Sequence, residues 1–341
     1  MRYLIGIAVA IAVGSAGCER DPLRPATARP EGTIWVDYAP AWSHDGSMIA
    51  FARLVDSGIG QYGIYVVPAG GGQPRYVGGH ELYRPYTITF APNDKALLVA
   101  DGASFAIIDL VSGAVVRPLF TSTVVTEADW SPDGNTIIYN RRLFDRCCPE
   151  SGGVHLFDLR SGTDRAWLDR DGVIYGNSAK WSPRGDCVAL IEQRVGYSGV
   201  AIWTLDGRKT ELRREEWPDT RWQYLRWRAN SGRLELEFRD TTDPGGPYRI
   251  YDDGTGFARI RDWQSPFPWS AVSWDGQSLV GADVDEDGAV VLFIRKYFDV
   301  FGVTRRQLTF YEGGIDEARK QGGRRGAVWP GREMPLSDRR N

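Results

Sequence analysis

A five-residue phrase returns along this chain at intervals of 40 to 51 residues. Its fullest copy, at 130–134, reads Trp-Ser-Pro-Asp-Gly and is followed at once by a β-branched run. Proline fixes φ at the second position of a type I turn, and Asp and Gly suit the positions after it. The six copies define six sequence units, whose anchor residues are Trp42, Phe90, Trp130, Trp181, Trp227 and Val272.

Every unit continues in the same order after its turn. A strand-like aliphatic run is followed by a variable loop, a second apolar run, a small glycine turn and a short final strand. Four strands in about 45 residues is the size of a propeller blade, and a single four-stranded sheet needs neighbours on both faces to bury them. We therefore predict an all-β, six-bladed β-propeller over residues 33–310, with four antiparallel strands per blade. A β-sandwich with chance repeats is the alternative.

The first unit carries a family resemblance. The stretches "PAWSHDGSMIAFAR" and "GIYVVPAGGGQPRYV" resemble the WD-like repeat of the TolB-type propellers, a repeat that also forms the propeller half of dipeptidyl-peptidase and prolyl-oligopeptidase relatives. The resemblance runs from residue 39 to about residue 310. It implies the fold, because the matched residues belong to turns and core, and it leaves the function open. Unit two departs from the pattern with Phe90 and Asn93-Asp94, and units five and six have lost most of the phrase.

The first 17 residues have the form of an export signal. Arg2 precedes an apolar run from Leu4 to Val13, which is shorter than the roughly 20 residues that span a bilayer. The segment Ser15-Ala16-Gly17-Cys18 resembles a bacterial lipobox, which implies a lipid on Cys18. Glu19 follows, and the resemblance then implies an outer-membrane lipoprotein facing the periplasm. Secretion without lipid and a retained anchor are the alternatives.

The segments around the propeller have the composition of appendages. Residues 18–32 contain three prolines and predict a tether, and residues 311–341 predict a poorly ordered tail. Export into an oxidising compartment makes a disulfide among Cys147, Cys148 and Cys187 possible, and the sequence does not decide which pair forms it. The net charge of −3 gives no basic footprint and argues against nucleic acid as a partner.

Long irregular links between units predict the binding face. In a four-stranded meander, the Ser-Pro-Asp-Gly turns and the glycine turns share one face, here named the turn face. The links between units and the loops between second and third strands share the other, here named the link face, and function concentrates on such loops. Aromatic and arginine residues are the usual anchors of binding sites. We predict partner-binding residues Tyr83, Arg84, Tyr86, Tyr175, Trp217, Arg221, Trp222 and Trp263. Packing of these side chains between blades is the alternative.

A short acidic segment suggests a cation-binding site. Asp283, Asp285 and Asp287 stand at alternate positions before Gly288, which matches the opening of a calcium loop. Ile294 stands where a complete EF-hand loop has Glu, so a solvated acidic hairpin is the alternative interpretation. No other cofactor is predicted.

Catalytic motifs are absent from the sequence. The three histidines, His44, His80 and His155, lie in different units or links, and neither a Gly-x-Ser-x-Gly elbow nor a His-Glu-x-x-His motif is present. We predict a monomeric, non-catalytic binding or scaffold module whose partner is an envelope protein, a peptide or a glycan. The alternative is an exported propeller hydrolase or lyase with a site at the channel mouth. Carboxylates and histidine gathered there would favour the enzyme, whereas aromatics and arginine would favour binding.

Overall fold

A computed structural model describes most of the chain between residues 35 and 309. The described ranges are 35–55, 61–82, 84–116, 123–125, 127–143, 152–168, 175–194, 197–216, 222–230, 233–240, 247–259, 270–275, 277–284, 290–296 and 306–309. Outside them lie the predicted signal peptide, tether and tail, and with these Cys18, Cys147 and Cys148. Within them, no helix is long and apolar enough to cross a bilayer.

Units one and two each form a meander of four antiparallel strands. The strands of unit one are β1 (Trp35–Trp42), β2 (Met48–Val55), β3 (Gln61–Pro68) and β4 (Arg75–Gly78). Those of unit two are β5 (Thr87–Phe90), β6 (Ala96–Ala100), β7 (Phe105–Asp109) and β8 (Val115–Val116).

Units three and four repeat the pattern, with one extra short strand in unit three. Unit three contains β9 (Thr123–Val124), β10 (Ala128–Trp130), β11 (Thr136–Leu143), β12 (Gly152–Asp158) and β13 (Thr163–Leu168). Unit four contains β14 (Tyr175–Trp181), β15 (Cys187–Arg194), β16 (Tyr197–Thr204) and β17 (Lys209–Glu216).

Units five and six complete the chain. Unit five contains β18 (Trp222–Asn230), β19 (Arg233–Asp240), β20 (Pro247–Tyr251) and β21 (Ala258–Arg259). Unit six contains β22 (Ser270–Val272), β23 (Ser278–Val284), β24 (Val290–Lys296) and β25 (Arg306–Gln307).

The strands form an all-β propeller of four-stranded antiparallel blades, in five separate sheets rather than the six predicted. The number is lower because one sheet has eight strands. Its strand order is β22-β23-β24-β1-β2-β3-β4, with β25 on β24. The connection within it is a parallel pair between Val36 and Val290, which joins the last unit to the first.

The core lies between the sheets. The first strands of the units contact one another in the order β22, β1, β5, β10, β14, β18, and the fourth strands are the most exposed, as in β17. Alternate residues along a strand face opposite neighbours. Ile138 of β11 therefore packs with Trp181 and Leu190 of unit four, whereas Tyr139 beside it packs with Phe105 of unit two. This arrangement buries both faces of the inner strands, as the repeat predicts.

The recurring phrase forms the tight turn predicted for it. In unit three the amide of Gly134 donates to the carbonyl of Ser131 at 2.8 Å, and Gly134 has φ +72°. The Ser131 hydroxyl donates to Asp133 at 2.6 Å and accepts the amide of Thr136 at 2.9 Å. The turn is thus closed by its own side chains, and the β-branched run starts the second strand immediately after it.

Candidate functional site

Four of the eight predicted binding residues fall within described backbone. Arg84 and Tyr86 lie in the link between units one and two, and Tyr175 and Trp222 begin β14 and β18. The remaining predicted residues, Tyr83, Trp217, Arg221 and Trp263, lie outside the described residues. The candidate site is therefore built from the Arg84–Tyr86 segment, here named the rim segment.

Backbone hydrogen bonds hold the rim segment against unit two. The amide of Tyr86 donates to the carbonyl of Ala100 at 2.7 Å, and the amide of Arg84 donates to that of Asp101 at 3.0 Å. These bonds continue the pairing of β5 with β6 beyond the start of β5. The buried Asp101 carboxylate in turn accepts the amides of Ala103 and Ser104, at 3.0 and 2.8 Å, which fixes the β6–β7 turn below the segment.

A glycine makes room for the Tyr86 ring. Gly102 has φ +85°, and a Cβ built on it would lie 2.6 Å from Cε2 of Tyr86. No side chain fits at that distance, so Gly102 serves both the left-handed turn and the close approach of the ring. The guanidinium of Arg84 lies 5.2 Å from the centre of the Tyr86 ring, within cation–π range. The rim segment thus presents an aromatic ring and a cation in a fixed relation.

A buried tyrosine lies near the rim segment. Tyr38 of β1 is fully buried, and its ring meets that of Tyr62 edge-on at 6.4 Å. Burial raises the pKa of Tyr38 well above its usual value and Tyr62 adds to the rise, while the charge of Arg84 acts in the opposite direction. Arg84 is therefore close enough for its charge to act on Tyr38, and the rim is continuous with the aromatic core of unit one.

Unit one contains a buried ion pair that the sequence did not predict. Nε and Nη2 of Arg53 donate to the two carboxylate oxygens of Asp37 at 2.6 and 2.8 Å. The two residues face each other across the β1–β2 register, and the Arg53 guanidinium lies 5.0 Å from the Tyr65 ring. Both carboxylate oxygens accept a hydrogen bond and both side chains are buried, so we interpret the pair as a structural contact between these two strands. Only the register, which the sequence does not show, brings the two charges together.

A second polar cluster lies between the inner strands of units three and four. The Ser178 hydroxyl donates to Oε2 of Glu127 at 2.7 Å, and the amide of Trp181 donates to Oδ2 of Asp129 at 3.0 Å. Burial raises the pKa of Glu127 and of Asp129, and the Lys180 ammonium opposes that rise in both. Sequence reasoning missed this cluster, although the alternation of Glu127 and Asp129 on one strand was a visible signal.

The three histidines lie in different parts of the fold and contact different residues. Nδ1 of His44 lies 2.9 Å from Asp94, and its ring stacks on Trp274 at 4.5 Å. Nδ1 of His155 lies 3.2 Å from Asp164, on the outer strands of unit three. His80 is exposed in the link between units one and two.

Metal and thiol chemistry have few candidates in the described part of the chain. It contains no group of three or more His, Cys, Asp or Glu side chains able to hold a metal. Of the predicted calcium ligands, Asp283 belongs to β23, and Asp285 and Asp287 lie outside the described residues. Cys187 is a free thiol in the described structure, and burial raises its pKa to about 11, which keeps it protonated at neutral pH.

Comparison with known proteins identifies the fold. No family model and no curated protein matches the sequence. Among solved structures, TolB from Acinetobacter baumannii is similar over 81% of this chain and 66% of its own, with 15% identity and a TM-score of 0.59. An oligogalacturonate lyase from Vibrio parahaemolyticus is similar over 86% of this chain and 84% of its own, with 11% identity and a TM-score of 0.53.

A third similar structure is the β-propeller domain of the Trilobed protease from Pyrococcus furiosus. It matches 83% of this chain and 100% of its own, with 13% identity and a TM-score of 0.54. The chain thus has the TolB-like propeller fold, and it spans just under two thirds of the length of the TolB chain.

Proposed function

We propose that this protein is a non-catalytic binding module of the bacterial envelope, which holds a protein, peptide or glycan partner on its link face. The observation that carries the proposal is the rim segment, in which Arg84 and Tyr86 are fixed side by side before any partner arrives. A preformed contact surface loses less entropy on binding than a flexible one. Arginine and tyrosine are also the residue types that dominate binding energies at interfaces.

The chemistry near the inner strands supports binding over catalysis. The carboxylates of Glu127 and Asp129 already accept hydrogen bonds from unit four, and His44 is held at the turn face by Asp94 and Trp274. The described inner strands therefore offer no histidine–carboxylate pair at the link face. The pair in the link itself, Nδ1 of His80 with Glu81 at 3.2 Å, involves a histidine that is 83% exposed and so lies outside any enclosed site. The aromatic and arginine chemistry expected of a binding rim is what the described link face does contain, at Arg84 and Tyr86.

We further propose six blades, with the eight-stranded sheet counted as two. Its two halves are the four antiparallel strands of unit six and the four of unit one. Between them the indole of Trp42 donates to the carbonyl of Ala271 at 3.2 Å. The same bond joins units four and five, where Trp227 donates to the carbonyl of Lys180 at 3.0 Å. A contact that recurs between neighbouring blades supports treating units six and one as neighbouring blades as well.

For location, we propose a lipid on Cys18 that tethers the propeller to the outer membrane on its periplasmic side. The support is the small-residue segment before Cys18, the proline-containing stretch after it and the TolB-like fold. A tether of this kind leaves the link face accessible to partners within the envelope.

The binding proposal is tested by comparing two double variants of the lipidated protein. R84A/Y86A removes the rim chemistry, and R208A/W274A removes an exposed arginine and an exposed aromatic from the turn face. A partner recovered from crosslinked envelopes with the wild-type chain is then purified and titrated by calorimetry against all three proteins. We expect R84A/Y86A to weaken its affinity at least tenfold, as the loss of two anchors implies. We expect R208A/W274A to leave the affinity within about twofold, since a turn-face site has no part in the proposal.

Two results would contradict the rim as the binding site. One is full affinity in R84A/Y86A with a native circular dichroism spectrum. The other is a larger loss in R208A/W274A, which would place the partner on the turn face.

A further inference from the structure

One cross-strand pair in unit three combines a carboxylate with an amide, a combination that none of the other five units has at these two positions. Asn140 lies ten residues after the anchor, where the other units have Ala52, Ala100, Ile191, Glu237 and Ala282. Glu127 lies three residues before the anchor, where the others have Ala39, Thr87, Ser178, Tyr224 and Trp269. Three of the other five units have alanine at the Asn140 position, so a buried amide there is a local departure, and such departures are expected at functional positions.

The register places these two side chains together. The β10–β11 ladder pairs Ala128 with Tyr139, and the amide of Asn140 donates to the carbonyl of Glu127 at 3.3 Å. Glu127 is therefore directly opposite Asn140, and opposite residues of an antiparallel pair have Cβ atoms about 5 Å apart on the same face. Asp129 shares that face because it is two residues further along the strand. The face is the one that packs on unit four, as its neighbour Ile138 shows.

Asn140 is buried there without any hydrogen-bond partner for its side chain. It is 4% exposed, and neither its amide nitrogen nor its amide oxygen has a partner. Its counterparts Ala52, Ala100 and Ala282 are also buried, but an alanine side chain has no polar group that needs a hydrogen bond. A buried amide without a partner is costly, so such a group points to an ordered occupant.

We propose that the carboxylates of Glu127 and Asp129 and the amide oxygen of Asn140 bind a divalent hard cation of the Ca²⁺ class in the seam between units three and four. Carboxylate and amide oxygens are the ligands that such a cation prefers, and its coordination is completed by water or carbonyl oxygens. The Ser178 hydroxyl, which already contacts Glu127 at 2.7 Å, adds a fourth oxygen beside it. Burial raises the pKa of both carboxyl groups, which is the electrostatic cost that a cation would relieve.

Lys180 is the natural competitor for this site. Its ammonium acts on both Glu127 and Asp129, so it supplies positive charge in the absence of an ion. An ammonium near bound Ca²⁺ repels it, and removal of that charge is expected to strengthen cation binding. The sign of this effect separates cation binding from a purely structural role of the cluster, which would lose stability without Lys180 and gain no affinity.

The test is calcium titration of the mature chain by calorimetry, together with Tb³⁺ luminescence excited through tryptophan. Trp181 donates its own amide to Asp129, so its indole is available to sensitise a bound lanthanide. We expect one Ca²⁺ site in the wild-type protein, at least tenfold weaker in N140A and in E127Q, and tighter in K180M. The matched control D285N/D287N removes carboxylates of the acidic hairpin and is expected to leave this site unchanged.

Thermal unfolding provides a readout that does not depend on tight binding. N140A introduces the alanine that three other units already have, so in chelator its Tm is expected to equal or exceed that of the wild type. At the same calcium concentration, the ion is expected to raise the Tm of the wild type by more than that of N140A.

Three outcomes would overturn the proposal. The first is the absence of both heat and sensitised luminescence at millimolar cation, which would assign an internal water to Asn140. The second is binding that N140A and E127Q retain and D285N/D287N abolishes. The third is weaker binding in K180M.

Discussion

At the scale of single residues, two departures from the repeat compensate each other. Asp94 stands where unit three has Gly134, and it adopts the same left-handed backbone, with φ 56°. That conformation costs a non-glycine residue about 1 kcal/mol. The Asp94 carboxylate offsets the cost because it accepts the amides of His44 at 2.8 Å and Asp45 at 3.0 Å from the neighbouring turn. His44 in turn stands where unit three has Pro132, and proline has no amide hydrogen to donate.

The turn aspartates give the fold an acid-sensitive contribution. Hydrogen bonds from Ser131 and Asn135 hold the pKa of Asp133 below its usual value. A carboxyl group whose pKa is depressed on folding adds stability above its unfolded pKa, and this is lost as the pH falls through the folded value. We expect D133N to lower the urea midpoint at pH 7 and the deficit to shrink progressively as the pH falls below the ordinary Asp pKa of about 3.9. Urea unfolding across this pH range measures this, and a deficit that persists unchanged at low pH would assign the effect to packing.

These residues also show what the sequence could reveal. The Ser131–Asp133 turn was predictable because all of its bonds lie within a few residues. The Asp94 substitution was visible in the sequence, but its reason was not, since its partner His44 belongs to another unit. The Asp37–Arg53 and Glu127–Asn140 pairs depend on the strand register. The repeat shows where the strands lie, but it does not show which residues face each other across two strands.

At the scale of the elements, the anchor tryptophans differ in whether they form a hydrogen bond to the neighbouring blade. The indoles of Trp42 and Trp227 each donate to a carbonyl of the preceding unit. The indole N–H groups of Trp130 and Trp181 are buried without a hydrogen-bond partner. The same residue at the same repeat position therefore forms a hydrogen bond between some blades and only packing contacts between others.

This inequality predicts different costs for one substitution. W42F and W181F remove the same atoms from equally buried positions, but only W42F removes a hydrogen bond. We expect W42F to lower the free energy of unfolding by about 1 kcal/mol more than W181F does. Urea unfolding of the two variants side by side measures the difference. Equal losses would show that the Trp42 bond contributes nothing beyond packing.

At the scale of the whole molecule, the last unit contacts the first unit at several points, from the inner strands to the outer ones. The Trp42 bond joins the first strands of units one and six, and Val36 of β1 pairs with Val290 of β24, the third strand of unit six. At the periphery, the guanidinium of Arg306 donates to the carbonyls of Gly70 and Ala69 at 2.7 and 3.1 Å. The last unit is thereby tied to the first from its inner strand to its outer one.

The proposed lipid anchor makes a prediction at the same scale. C18A removes the thiol that would carry the lipid, whereas C187A removes a thiol that the fold partly buries. We expect C18A to move the protein from the membrane fraction to the soluble periplasmic fraction and C187A to leave it membrane-bound. Fractionation followed by immunoblotting, with labelled palmitate as a second readout, measures this. Membrane retention of C18A without palmitate incorporation in the wild type would assign the attachment to the apolar N-terminal run instead.

The bond between Trp42 and Ala271 joins residues that are 229 positions apart in the sequence. Contacts of such long range form late, because the entropy of the intervening chain must be lost first. If the chain crosses a membrane from its N-terminus, as proposed above, it remains an open arc, with the edge of its first blade uncovered, until the final blade has arrived. Before that arrival, the surface of the first unit that later packs on unit six is exposed, and exposed surface of this kind favours aggregation.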